Sequence, residues 1–128
     1  MNNTQYIANE LLRFLTLSEN FEDSVHDFNR MTGAKQIIVD EKNYSVKCIL
    51  PLSVTGNKWN ILEISVNGLD LVDIKCSKRT KQRGGWSYNT KVVHEWENLY
   101  AEDVYRIFRE KTGVETRVPQ IRIVRTCL

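Results

Sequence analysis

The first third of the chain carries its apolar residues at helical spacing. Ile7, Leu11, Leu12 and Leu15, with Phe14 beside them, make one stripe behind a Thr4 cap and predict an amphipathic helix over about residues 4–17. A second helix is expected over about 20–32. Asn20 can cap it, Glu22 and Asp23 suit its positive end, Val25 and Phe28 continue the apolar stripe, and Gly33 can close it. Past Gly33 the period changes from about 3.6 to about 2. Residues 34–40 (AKQIIVD) read as a strand, EKN as a tight turn, and 44–50 (YSVKCIL) as a second strand with Tyr44, Val46, Cys48 and Leu50 on one face.

Pro51 and VTGN break that ladder, and two further strands, 58–66 and 69–77, flank Asn67-Gly68. Asn-Gly is the strongest short hairpin signal because both turn positions need positive φ, so the expected register sets Val66 opposite Leu69 and Leu62 opposite Asp73. It leaves Leu62, Ile64, Val66, Leu69 and Leu71 on one face, and Trp59, Ile61, Val72, Ile74 and Cys76 on the other. Apolar residues on both faces suit a central hairpin covered on two sides or packed against another chain, with helices on one face and room for a partner subunit, as in a homodimer, on the second.

TKVVHEW (90–96) reads as a strand pairing with 69–77, which makes the segment between them a long hairpin loop. A third helix is expected over about 100–112, with Glu102 and Asp103 in its first turn, Val104, Ile107 and Phe108 on its apolar face, and Gly113 as its stop. VPQIRIVR (118–125) closes the chain as a strand that starts at or near a sheet edge, since Pro119 cannot donate to a ladder. Helices and strands segregated in this way predict one α+β domain over residues 1–128. Its sheet is mainly antiparallel, of five to six strands, with two N-terminal helices and one helix before the last strand.

Composition adds that the chain folds by itself: 41% hydrophobic and 27% charged residues are the balance of a globular domain with one core. No apolar run reaches the roughly 18 residues that span a bilayer, and the N-terminus lacks the basic-then-apolar order of a secretory signal. Cys48, Cys76 and Cys127 are odd in number and far apart, which suits buried free thiols in a reducing compartment. The expectation is cytoplasmic, including the cytoplasm of a host cell, with no membrane partner.

Charge is where the sequence departs from an ordinary domain. Residues 74–94 hold six Lys or Arg and no acid, whereas the rest of the chain holds twelve bases against sixteen acids. The whole positive excess therefore lies in the segment that includes KCSKRTKQRGGWSYNTK (75–91). Lys78, Arg79, Lys81, Arg83 and Lys91 can neutralise phosphates, Trp86 and Tyr88 can stack on bases, and Gly84-Gly85 gives the backbone freedom to adapt. Arg122, on the expected last strand, widens this surface if that strand neighbours the hairpin. The bland alternative is a solvated tip that keeps the hairpin from aggregating, but surface charges normally mix both signs.

Asp73-Ile74-Lys75, after a strand that contains Glu63, resembles the acid, acid-x-lysine core of PD-(D/E)xK nucleases. The resemblance implies carboxylates that converge on a metal, with Lys75 polarising phosphate or water. In the expected hairpin register Glu63 and Asp73 face opposite sides of the sheet and cannot share a metal. His26 and His94 have no Cys or His at zinc-ligand spacing, and His94, alternating with Val92 and Trp96, reads as a packed histidine. No nucleophile motif and no phosphate-binding loop is present. These patterns imply no cofactor, no metal and no catalytic set. The leading expectation is a small non-enzymatic protein whose 75–91 loop engages nucleic acid or a phosphate-bearing nucleotide. Second comes a protein-interaction module, such as a phage or mobile-element inhibitor docking on an acidic surface of a host enzyme. Third comes a metal-dependent nuclease using Asp73 and Lys75.

Overall fold

The computed structural model describes residues 3–81 and 88–116, with only the backbone of Lys81 and Tyr88. The elements run α1 (Asn3–Thr16), α2 (Ser24–Thr32), β1 (Gln36–Asp40), β2 (Ser45–Ile49), β3 (Ile61–Val66), β4 (Val72–Lys81), β5 (Tyr88–Leu99) and α3 (Ala101–Thr112). The strands form one antiparallel meander in the order β1-β2-β3-β4-β5. The α+β class, the two N-terminal helices and the later third helix are as the sequence implies. The expected last strand, 118–125, lies outside the described residues, as do Cys127 and Arg122.

All three helices pack on one face of the sheet. The ladders set Val46 opposite Ile64, Ile64 opposite Ile74, Cys48 opposite Leu62 and Leu62 opposite Cys76. Residues directly opposite share a face, so these side chains form a continuous apolar floor. On it lie Ile7, Leu11, Leu12 and Leu15 of α1, Phe28 of α2, and Val104, Ile107 and Phe108 of α3, all buried. The Phe28 and Phe108 rings meet at 6.0 Å, joining α2 to α3. Thr116 Oγ1 donates to the Leu15 carbonyl at 3.0 Å and brings the chain beyond α3 back to the end of α1.

Helix ends follow local chemistry. Gly33 and Gly113 close α2 and α3 with φ of 69° and 72°, and each donates its N–H to a carbonyl four residues back. At the other end of α2 the expectation shifts: a short 3-10 turn at Phe21–Asp23 precedes the helix, and Asn20 reaches the Asp23 carboxylate at 3.4 Å instead of capping the backbone. Thr4 falls inside α1, whose first residue is Asn3.

The hairpin at Asn67-Gly68 is the main correction. Val66 pairs with Val72, so the turn runs from Asn67 to Leu71. Asn67 Oδ1 accepts the N–H groups of Leu69 (2.9 Å) and Leu71 (3.3 Å), the Asn67 N–H donates to the Leu71 carbonyl (2.9 Å), and the positive φ of 59° falls on Asp70. An Asn side chain that closes its own turn outweighs the two-residue preference. Leu69 is left 72% exposed, and Val72, Ile74 and Cys76 join the face of Leu62 and Ile64. The apolar residues are therefore not shared evenly between faces. The outer face carries Lys47, Glu63, Lys75 and Glu95 side by side on four strands, a row of alternating charge, with Ile49 and Ile61 beside it.

Candidate cationic arm and the acidic face beside it

β4 and β5 outrun the rest of the sheet. β3 pairs with β4 only as far as Ser77, but the β4–β5 ladder continues through Lys78 with Lys91, Arg79 with Thr90, Thr80 with Asn89 and Lys81 with Tyr88. The basic segment is thus mostly strand. Where the sequence implies a loop from 75 to 91, strand pairing reaches Lys81 on one side and resumes at Tyr88 on the other. Arg83 and Trp86 fall in 82–87, outside the described residues.

The base of this two-stranded arm is clamped by Asn60. Its Oδ1 accepts the Arg79 N–H at 2.7 Å and its Nδ2 donates to the Arg79 carbonyl at 3.1 Å, so the side chain imitates one more backbone pair of β3. A bulge between Cys76 and Ser77, opposite His94 and Val92, precedes the arm, and such an irregularity bends and twists the outgoing strands. Lys78 Nζ donates to the Asn57 carbonyl at 3.4 Å. Lys78 and Lys91 stand directly opposite one another on the same face, a like-charge cross-strand pair that by itself is unfavourable by a few tenths to about 1 kcal/mol.

Towards the core from this pair come residues that the linear sequence did not connect. Cys76 stands opposite His94, and Ile74 opposite Trp96. The His94 and Trp96 rings stack with centroids 5.5 Å apart and planes 29° apart, and Lys111 Nζ of α3 lies 5.7 Å from the Trp96 ring. Partial burial holds the His94 imidazole below its usual range, and the charges of Lys111 and Lys58 lower it further. Alternation alone puts His94 and Trp96 on one face; that Lys58 and Lys111 reach the same place follows only from how α3 and the loop before β3 pack.

The corrected register also moves the acidic residues. Glu63 stands opposite Lys75 and Ser65 opposite Asp73, so Glu63, Asp73 and Lys75 share the outer face, contrary to the expected opposite facing. With Glu95 and Glu97 they line a small hollow of about 90 Å³. Asp73 is already engaged there: its Oδ1 accepts from Asn67 Nδ2 and from the Asn98 N–H, both at 3.0 Å, and holds a second bulge in β5 where Asn98 takes a φ of 57°. Among the described residues no set of three or more His, Cys, Asp or Glu side chains could hold a metal ion. Cys48 and Cys76 are buried free thiols, each pushed up to about 12 by burial, which leaves them unreactive at neutral pH. No helix among the described residues is long and apolar enough to cross a membrane.

Comparison with protein-family models, with curated proteins and with solved structures finds no match to this chain. The functional reading therefore rests on the residues themselves.

Proposed function

We propose that this chain is a binding protein that engages a phosphate-bearing partner, a nucleic acid, through the β4–β5 arm. The observation that carries the reading is the Lys78 and Lys91 pair. Two lysines that are cross-strand neighbours on one face of a clamped ladder can both reach an anion that lies across them. Arg79 and Lys81 are their neighbours in the same ladder, and the surrounding segment, 74–94, contains no acid. Lys neutralises phosphate as a point charge and Arg can bind it bidentately. A free nucleotide would engage only one face of such an arm, whereas a nucleic-acid backbone that wraps the two strands reaches Lys78 and Lys91 on one face and the ladder positions of Arg79 and Lys81 on the other.

Fluorescence anisotropy with a labelled single strand of about 16 nucleotides tests this. With four arm cations on phosphates, the logarithm of affinity should fall with the logarithm of salt with a slope near −3, or about 50-fold between roughly 50 and 200 mM salt. The double variant Lys78→Gln, Lys91→Gln should lower the slope by about 1.4 and weaken binding. It should fold about as well as the parent, because it removes a like-charge cross-strand pair along with only one long, exposed hydrogen bond from Lys78 to Asn57. Salt-independent binding, or unchanged binding in the double variant, would overturn the reading. No oligonucleotide binding, with one stoichiometric protein retained in a pull-down, would assign the arm to an acidic protein surface instead.

A further inference from the structure

Along the helix-facing side of the β5 edge, the arm cations lead into an aromatic step. Lys91, His94 and Trp96 stand opposite Lys78, Cys76 and Ile74, so Lys78, Lys91, His94 and Trp96 lie on one side of the ladder, over roughly 15 Å of strand. Trp96 is packed against the core and stacked on His94, which makes the pair a rigid ledge. Lys111 stands over the indole, and Lys58, exposed on the loop before β3, is near enough for its charge to act on His94. The carboxylates next to His94 in sequence do not reach this side, since Glu95 stands opposite Lys75 on the outer face and Glu97 lines the hollow there.

We propose that Lys58, His94, Trp96 and Lys111 form the inner end of the same binding track, a subsite for one phosphate and its adjoining base of a single-stranded nucleic acid. This rests on the reading of the arm and adds to it both the class of nucleic acid and a proton. A cation cluster alone would suit any phosphate. The ledge suits a base whose π-face is uncovered, as it is in a single strand and is not inside a duplex.

The proton follows from what surrounds His94. Cys76 from β4, whose buried thiol is neutral, stands opposite it, Trp96 from β5 stacks on it, and the charges that act on it are Lys111 from α3 and Lys58 from the loop before β3. None of these carries negative charge, so the imidazole stays neutral at pH 7. A phosphodiester that enters between Lys58 and Lys111 brings one negative charge against the ring, offsets part of the lysines' charge and accepts a hydrogen bond from the imidazole. Protonated His94 is then favoured, and binding takes up one proton from solvent. By linkage, affinity rises as pH falls through the histidine range.

The test is binding of an unstructured thymidine oligonucleotide of about 16 nucleotides, with a blunt duplex of equal length as comparison, from about pH 5.5 to about pH 8 at constant ionic strength. The wild-type protein should bind the single strand more tightly as pH falls, by up to about tenfold per pH unit for one proton. Titration calorimetry in two buffers of different ionisation heat should show proton uptake. His94→Gln should flatten the pH profile while keeping the salt slope of the arm, and His26→Gln, on α2, should leave both unchanged. The calorimetric proton count needs no variant, so it decides the matter even where His94→Gln does not fold. Binding without proton uptake, or a slope that survives in His94→Gln, overturns this inference and leaves the arm reading standing. Duplex bound equally well overturns the single-strand assignment, and no binding at any pH overturns both readings.

Discussion

Asn60 lies one residue before β3, and its side-chain amide does for Arg79 what another β3 residue would have done with its backbone. An amide can do this because it carries a donor and an acceptor at the spacing of a peptide group. The paired bonds should be worth about 1 to 2 kcal/mol together. Asn60→Ala should lose about that much in urea unfolding and raise hydrogen exchange at the Arg79 amide far more than at Ile74. Asn60→Asp keeps the acceptor and should restore much of the protection. Unchanged exchange at Arg79 in Asn60→Ala would mean that the pairing with Thr90 alone holds the base of the arm. Nothing in the string of residue types marks Asn60 out, because its partner lies nineteen positions away and across a turn whose length the sequence misjudged.

At the scale of the element, the turn from Asn67 to Leu71 decides the most. The β3–β4 hairpin itself was legible in the sequence, from two alternating runs flanking a turn signal. Its register was not, because Asn67 can serve either as a positive-φ residue or as a side-chain cap, and only the packed sheet selects the cap. The choice moves Asp73 onto the face of Glu63 and ties its carboxylate to Asn67 and the Asn98 N–H. Asp73→Ala should therefore destabilise the domain by about 1 to 3 kcal/mol and speed exchange at the Asn98 amide, since two donors lose their acceptor. Glu63→Ala, half-buried on the same face, should change stability by less than about 1 kcal/mol. Equal and small effects of both substitutions would show that the second bulge does not depend on Asp73.

Across the whole molecule, two buried thiols and one partly buried phenol among the described residues weaken the fold in alkali. Cys48 and Cys76 are pushed up to about 12 by burial, and Tyr44 reaches about 12 through burial and the Glu10 carboxylate that its hydroxyl contacts. Unfolded, these groups ionise near 9.0 for the thiols and 10.0 for the phenol, so between about pH 9 and 12 the unfolded chain releases protons that the folded chain keeps. A raised folded value means stability that is complete below the unfolded value and lost as pH rises towards the folded one. The urea midpoint should hold up to about pH 8.5 and decline steadily above pH 9, and Cys48→Ala should make the decline shallower. A midpoint constant to pH 11 would contradict the burial of these groups.

The sequence by itself determined the α+β class, the three helices, the buried faces of β2 and of all three helices, and the concentration of positive charge at 74–94. Each of these is local: a period, a cap or a count within a few turns of chain. Only the tertiary structure decided that most of the basic segment is paired strand, that Lys78 and Lys91 stand opposite each other, and that His94, Trp96 and Lys111 come together beside them with the charge of Lys58 within range. These depend on one-residue choices of register and on which helix crosses which strand. They are fixed by the burial of a shared core, so no stretch of the chain read alone can contain them.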